Sequence, residues 1–95
     1  MEVKAPSKGI KELCAKLGSD YSIKVLDSEN VIYRKLGNGY DIEVSRLDNN
    51  KKTMNATVYV WKTDPLQVID TVKNINSFES LEQTLSNIVS KYSVR

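Results

Sequence analysis

The chain has 95 residues, 40% hydrophobic and 27% charged, with fourteen Lys and Arg against twelve Asp and Glu for a formal net charge of +2. That is enough for one domain, residues 1–95, with a modest core, and well short of the clustered basic excess of a non-specific nucleic-acid binder. Histidine is absent and Cys14 is the single cysteine, which excludes Ser-His-Asp and Cys-His nucleophilic sites, histidine-based zinc sites and an intramolecular disulfide.

From Ser7 to Leu17 the apolar residues Ile10, Leu13, Cys14 and Leu17 recur at helical spacing. Ser7 suits an N-cap and Gly18 a C-terminal stop. Cys14 falls on the buried stripe, where a thiol serves as a small core group. The period then changes from 3.6 to 2. Tyr21, Ile23 and Val25 alternate with Ser22, Lys24 and Leu26, and after Asp27-Ser28-Glu29 the pair Val31 and Tyr33 alternates with Ile32, Arg34 and Leu36. Asn38-Gly39 is the preferred dipeptide of a two-residue hairpin turn. A third strand is predicted from Tyr40 to about Leu47 and a fourth from about Thr53 to Trp61.

Turn lengths set the expected register. An Asn38-Gly39 turn places Tyr33 opposite Val44 and Arg34 opposite Glu43. A three-residue turn at Asp27 to Glu29 brings Val25 to Val31 and Ile23 to Tyr33. A turn at Asn49 to Lys51 brings Val44 to Ala56, Ile42 to Val58 and Tyr40 to Val60. The inward set is then Ile23, Val25, Val31, Tyr33, Tyr40, Ile42, Val44, Met54, Val58 and Val60. After Asp64-Pro65, Leu66 to Val72 reads as a fifth, edge strand, although Ile69 breaks its alternation and a short helix is the alternative. Asn74 to Ser77 leads into a second helix, capped by Asn76 or Ser77, with Glu79 able to close a capping box on Asn76. Phe78, Leu81, Leu85, Ile88 and Tyr92 mark its buried stripe to about Lys91, and residues 93–95 are expected to fray. The predicted fold is α+β: a four- to five-stranded antiparallel meander with the N- and C-terminal helices packed on one face.

The other face of the sheet is the candidate site. By the expected register it carries Lys24, Arg34, Leu36, Tyr59 and Trp61, with Lys62 beside them, and also Ile32, Asp41, Glu43 and Thr57. Leu36, Tyr59 and Trp61 together approach the size at which an exposed apolar patch signals binding, with Trp61 as the anchor. The plainer reading is that a chain end covers the patch. Lys24, Arg34, Lys62 and Lys73 around aromatic rings also suit a single-stranded nucleic acid stacked on the sheet. Asp41 and Glu43 oppose that, as do eleven lysines against three arginines. The exposed edge of the fifth strand could pair with a second copy in a homodimer, or with a partner strand.

Catalysis finds no foothold. Asp27 with Glu29 and Asp41 with Glu43 lack an apolar pocket that would raise a carboxylate's pKa, and Gly37-Asn38-Gly39 precedes a strand, whereas a phosphate loop precedes a helix. Asp48-Asn49-Asn50 lacks the glycine and terminal glutamate of a calcium loop, and Lys51-Lys52 reads as a solvated turn. No cofactor, metal or catalytic residue is expected. No apolar run reaches the ~18 residues of a membrane helix, and Met1-Glu2-Val3-Lys4-Ala5-Pro6 lacks a signal peptide's apolar stretch, so a cytoplasmic location is expected.

The segments Ile10-Lys11-Glu12-Leu13, Asp20-Tyr21-Ser22-Ile23-Lys24-Val25, Val31-Ile32-Tyr33-Arg34 and Gly39-Tyr40-Asp41-Ile42-Glu43-Val44-Ser45 resemble small helix, β-meander, helix proteins of phages and mobile elements in low-GC Gram-positive bacteria. Some of these inhibit host defence, including anti-CRISPR proteins that occupy Cas9. The resemblance covers roughly the first half of the chain. It implies a small accessory protein that binds a host macromolecule, most simply a host protein, and the net charge of +2 departs from the strongly acidic members that mimic DNA.

Overall fold

The computed structural model describes residues 5–26, 28–47, 54–63 and 66–93. Helix α1 (Lys8–Leu17) begins where the Ser7 hydroxyl accepts the Ile10 N–H at 3.2 Å. It ends at Gly18, whose φ of 110° only glycine adopts without strain and whose N–H returns to the Cys14 carbonyl at 3.2 Å. Five strands follow: β1 (Ser22–Leu26), β2 (Glu29–Lys35), β3 (Tyr40–Ser45), β4 (Ala56–Lys62) and β5 (Gln67–Ile75). They form one open antiparallel sheet in chain order, with β1 and β5 as its edges. Helix α2 (Phe78–Tyr92) closes the chain of elements. Its cap is Ser77, whose hydroxyl accepts the Ser80 N–H at 3.1 Å. With Ser77 as cap, the residue three positions on is Ser80, so the Asn76–Glu79 capping box is not the one that forms. Glu79 in the first turn and Lys91 in the last suit the helix dipole.

Both helices pack on the same face and share one core with the sheet. The core joins Ile10 of α1 and Leu81, Leu85 and Ile88 of α2 to Ile32, Ile42, Val44, Ala56, Val58, Val60 and Ile75 of the sheet. Each of the larger side chains stabilises the fold by about 1.5–3 kcal/mol on burial. Tyr92 at the end of α2 lies against Tyr40, ring centroids 5.0 Å apart, and the Asn38 amide donates to the Tyr92 carbonyl.

The register departs from expectation at three turns. Ile32 pairs with Val44, Tyr33 with Glu43 and Arg34 with Ile42, one residue from the predicted Tyr33–Val44 and Arg34–Glu43. The Leu36 N–H bonds to the Tyr40 carbonyl at 2.9 Å, so the loop is Gly37-Asn38-Gly39, three residues, with φ of 85° and 92° at its glycines. The first hairpin is shorter than expected: Leu26 pairs with Glu29, leaving two residues between, and Ile23 pairs with Ile32 and Val25 with Asn30. The two one-residue errors cancel across β2. Strands β1 and β3 therefore keep their predicted faces, and β2 alone is turned over, sending Ile32 and Arg34 towards the helices and Val31 and Tyr33 to the other side. The hydrophobic pattern could not detect this, because Val31, Ile32 and Tyr33 are all apolar enough for either face. Val31 and Ile32 are both fully buried.

The third turn differs by two residues. Val44 pairs with Val58, Ile42 with Val60 and Tyr40 with Lys62. An even shift preserves the faces, so the predicted inward row of β3 and β4 holds. The predicted turn at Asn49 to Lys51, with Asp48, Asn50 and Lys52, lies outside the described residues, as do Asp27, Asp64-Pro65, residues 1–4 and Val94-Arg95. The fifth strand forms and reaches Ile75, which is 3% exposed under α2. Two bulges interrupt it. Residues 73 and 74 face the single Thr57 between the Ala56–Ile75 and Val58–Val72 pairs, with Asn74 at φ 61°, and Ile69 is the extra residue between the Val60–Asp70 and Trp61–Val68 pairs. Ile69 broke the alternation in the sequence for this reason, and it packs against the core.

Candidate binding face

On the sheet face away from the helices, strand pairing builds two cross-strand rows. Tyr33, Glu43, Tyr59 and Thr71 form one, and Lys35, Asp41, Trp61 and Val68 the other. Side chains opposite one another lie within about 5.5 Å at Cβ, so each row is a line of contact. The Tyr33 hydroxyl donates to Asp41 Oδ2 at 2.6 Å. Glu43, only 8% exposed, accepts from Trp61 Nε1 at 2.8 Å and from the Ser45 hydroxyl. A carboxylate can be taken out of water on a sheet face only with such donors. Burial, then the bond to Asp41, then the negative charges of Asp41 and Glu43 push the Tyr33 phenol well above its ordinary pKa. Lys24 Nζ lies 4.5 Å from the Tyr33 ring centroid, a favourable cation–π placement.

The polar centre has an apolar margin. Val68, opposite Trp61, is 39% exposed, and Leu66 just before β5 is 66% exposed. Trp61 thus spans a buried carboxylate on one side and an exposed apolar strip on the other.

Of the six residues selected from the sequence, Lys24, Tyr59 and Trp61 stand on this face. Arg34 does not: it is opposite Ile42 on the helix side, 3.7 Å from Asp20 and with its guanidinium 5.2 Å from the Tyr21 ring centroid. Leu36, also expected beside Trp61, packs against the core on the helix side. Both were displaced by the inversion of β2. Lys62 is exposed at the end of β4, opposite Tyr40 and so also at a helix-side position. Ile32, expected outward, is in the core. The face gains Tyr33, expected inward, and loses Arg34, which leaves Asp41 and Glu43 at the centre of an aromatic surface. Gly37, a second glycine in the turn, was the sequence signal for the three-residue loop and hence for Tyr33 beside Asp41.

Cys14 is half-buried on α1, its Sγ 3.5 Å from the Tyr21 carbonyl, and burial raises the thiol pKa. That disfavours the reactive thiolate. Among the described residues no three His, Cys, Asp or Glu side chains converge as metal ligands, and no helix is long and apolar enough to cross a membrane. Comparison with protein-family models, with curated proteins and with solved structures gave no match in any of the three.

Proposed function

We propose that this chain is a non-enzymatic binding protein that docks on a host protein through the sheet face around Trp61. The carrying observation is the Trp61–Val68 pair, continued by exposed Leu66: a rigid aromatic anchor with an apolar margin beside a polar, hydrogen-bonded centre, the make-up of a protein-binding hot spot. The resemblance to small phage and mobile-element proteins supplies the setting, inhibition or modulation of a host protein in the cytoplasm. A second copy pairing along β5 is the less favoured arrangement, because the two bulges interrupt the edge ladder and such bulges discourage strand addition. Nucleic acid is the rival ligand. The placement of Asp41 and Glu43 at the centre of the face, with Arg34 on the other side, supports protein over phosphate.

The test uses Leu66→Asp with Val68→Asp, because both side chains are exposed, whereas Trp61→Ala would also strip Glu43 of a donor. Affinity capture from the native host, with and without nuclease, should recover a nuclease-resistant protein partner that the double variant loses while keeping its circular dichroism. Capture abolished by nuclease would transfer the assignment to nucleic acid. A partner retained in full by the double variant would remove this face from the function.

A further inference from the structure

We propose a second binding site, for a small monoanion with an apolar body, in the groove between the two helices. The groove lies across the sheet from Trp61, so it stands or falls independently of the face described above. Leu17 of α1 and Leu85 and Val89 of α2 border this groove together with Arg34 of β2, and the inverted register of β2 puts Arg34 on the helix side. The groove has a volume of about 430 Å³, within the roughly 300–1,000 Å³ of small-molecule sites.

Arg34 is the unusual feature. Its side chain is 23% exposed, and among the described residues its one ionic partner is Asp20, itself 73% exposed and 3.7 Å away. That separation exceeds the about 2.7–2.9 Å of a charge-assisted hydrogen bond. A guanidinium carries five N–H donors in a fork that fits a carboxylate, and Tyr21 supports the group from one side. The walls are apolar: Leu17 from α1, Leu85 and Val89 from α2. Ser86 and Ser90 border the same space. Glu82 also borders it and repels anions in proportion to their charge, so a single carboxylate facing Arg34, on an apolar body, is disfavoured least and polyphosphates most. The source is a free amphiphilic acid in solution, not a membrane surface.

Decanoate, kept below its micelle concentration, is the probe, with decanol as the neutral control and amide chemical shifts as the readout. Decanoate should perturb Leu85, Ser86 and Val89, leave Trp61 unaffected, and bind about tenfold or more weakly to Arg34→Gln, the loss expected for a charge-assisted contact. Decanol should bind wild type and Arg34→Gln equally and weakly. Asp20→Asn, at an exposed position, releases Arg34 from its loose partner and should tighten decanoate binding by up to about fivefold; it carries the test alone should Arg34→Gln fail to fold. No perturbation of the groove, equal affinity for decanol and decanoate, no gain in Asp20→Asn, or binding seen only with anionic vesicles would each overturn the site.

Discussion

Glu43 illustrates what a single charged residue requires in order to be buried on one face of a two-sided sheet. Its carboxylate is held by the Trp61 indole and the Ser45 hydroxyl, and those donors stand in for lost water. Trp61→Phe preserves much of the ring and removes one donor. It should cost about 1–3 kcal/mol, read as a lower urea midpoint with an unchanged slope, and a Trp61→Phe variant as stable as wild type would show that this bond contributes nothing. Tyr33 is the second residue with a measurable signature. Its phenol is raised above the ordinary 10.0, so the folded state favours the protonated form. The stabilisation is fully present below pH 10 and is lost as pH rises past that value, where the unfolded chain ionises and the folded chain resists. Tyr33→Phe lacks this dependence. The stability advantage of wild type over Tyr33→Phe should therefore be constant at neutral pH and shrink above pH 10, measured by urea unfolding across that range; a pH-independent difference would contradict it.

Elements were legible wherever one local rule decided them. Ser7 and Gly18 delimit α1 as their capping chemistry predicts, and the stripe Leu81, Leu85 and Ile88 turns α2 onto the sheet. The faces of β1, β3 and β4 followed from alternation. Strand β2 did not, because three consecutive apolar residues carry no parity and its direction rested on two turn lengths. The same contrast appears in the glycines. At Gly37, with φ 85° and open space around it, Gly37→Ala meets no atom and should still cost about 1 kcal/mol through backbone strain. Within α1, Gly9→Ala makes only an ordinary 3.8 Å contact with the Ser7 hydroxyl and should gain about 0.5–1 kcal/mol. A denaturant midpoint for Gly37→Ala equal to or above that of wild type would refute the assignment of the turn, and a lowered midpoint for Gly9→Ala would refute the gain in α1.

At the scale of the molecule, the candidate face was half visible in the sequence. Tyr59, Trp61, Asp41 and Glu43 share one face because β3 and β4 pair with an even offset from expectation. Arg34 and Leu36 left it, and Tyr33 joined it, through β2. Val68 escaped notice because its position opposite Trp61 depends on a bulge at Ile69, and a bulge leaves in sequence only a broken alternation. The place of Arg34 in the groove is a consequence of the same strand inversion, and no local pattern announces it.

The meander order has a further consequence for synthesis. Each strand pairs with the one before it, so the sheet can assemble as it emerges from the ribosome, hairpin by hairpin. Half of its cover cannot. Leu81, Leu85 and Ile88, which lie over Ile42, Val58 and their neighbours in one core, emerge after β5 is complete. Until α2 docks, the apolar face that Leu81, Leu85 and Ile88 cover is open to water, so the sheet's last step of burial waits on the element made last.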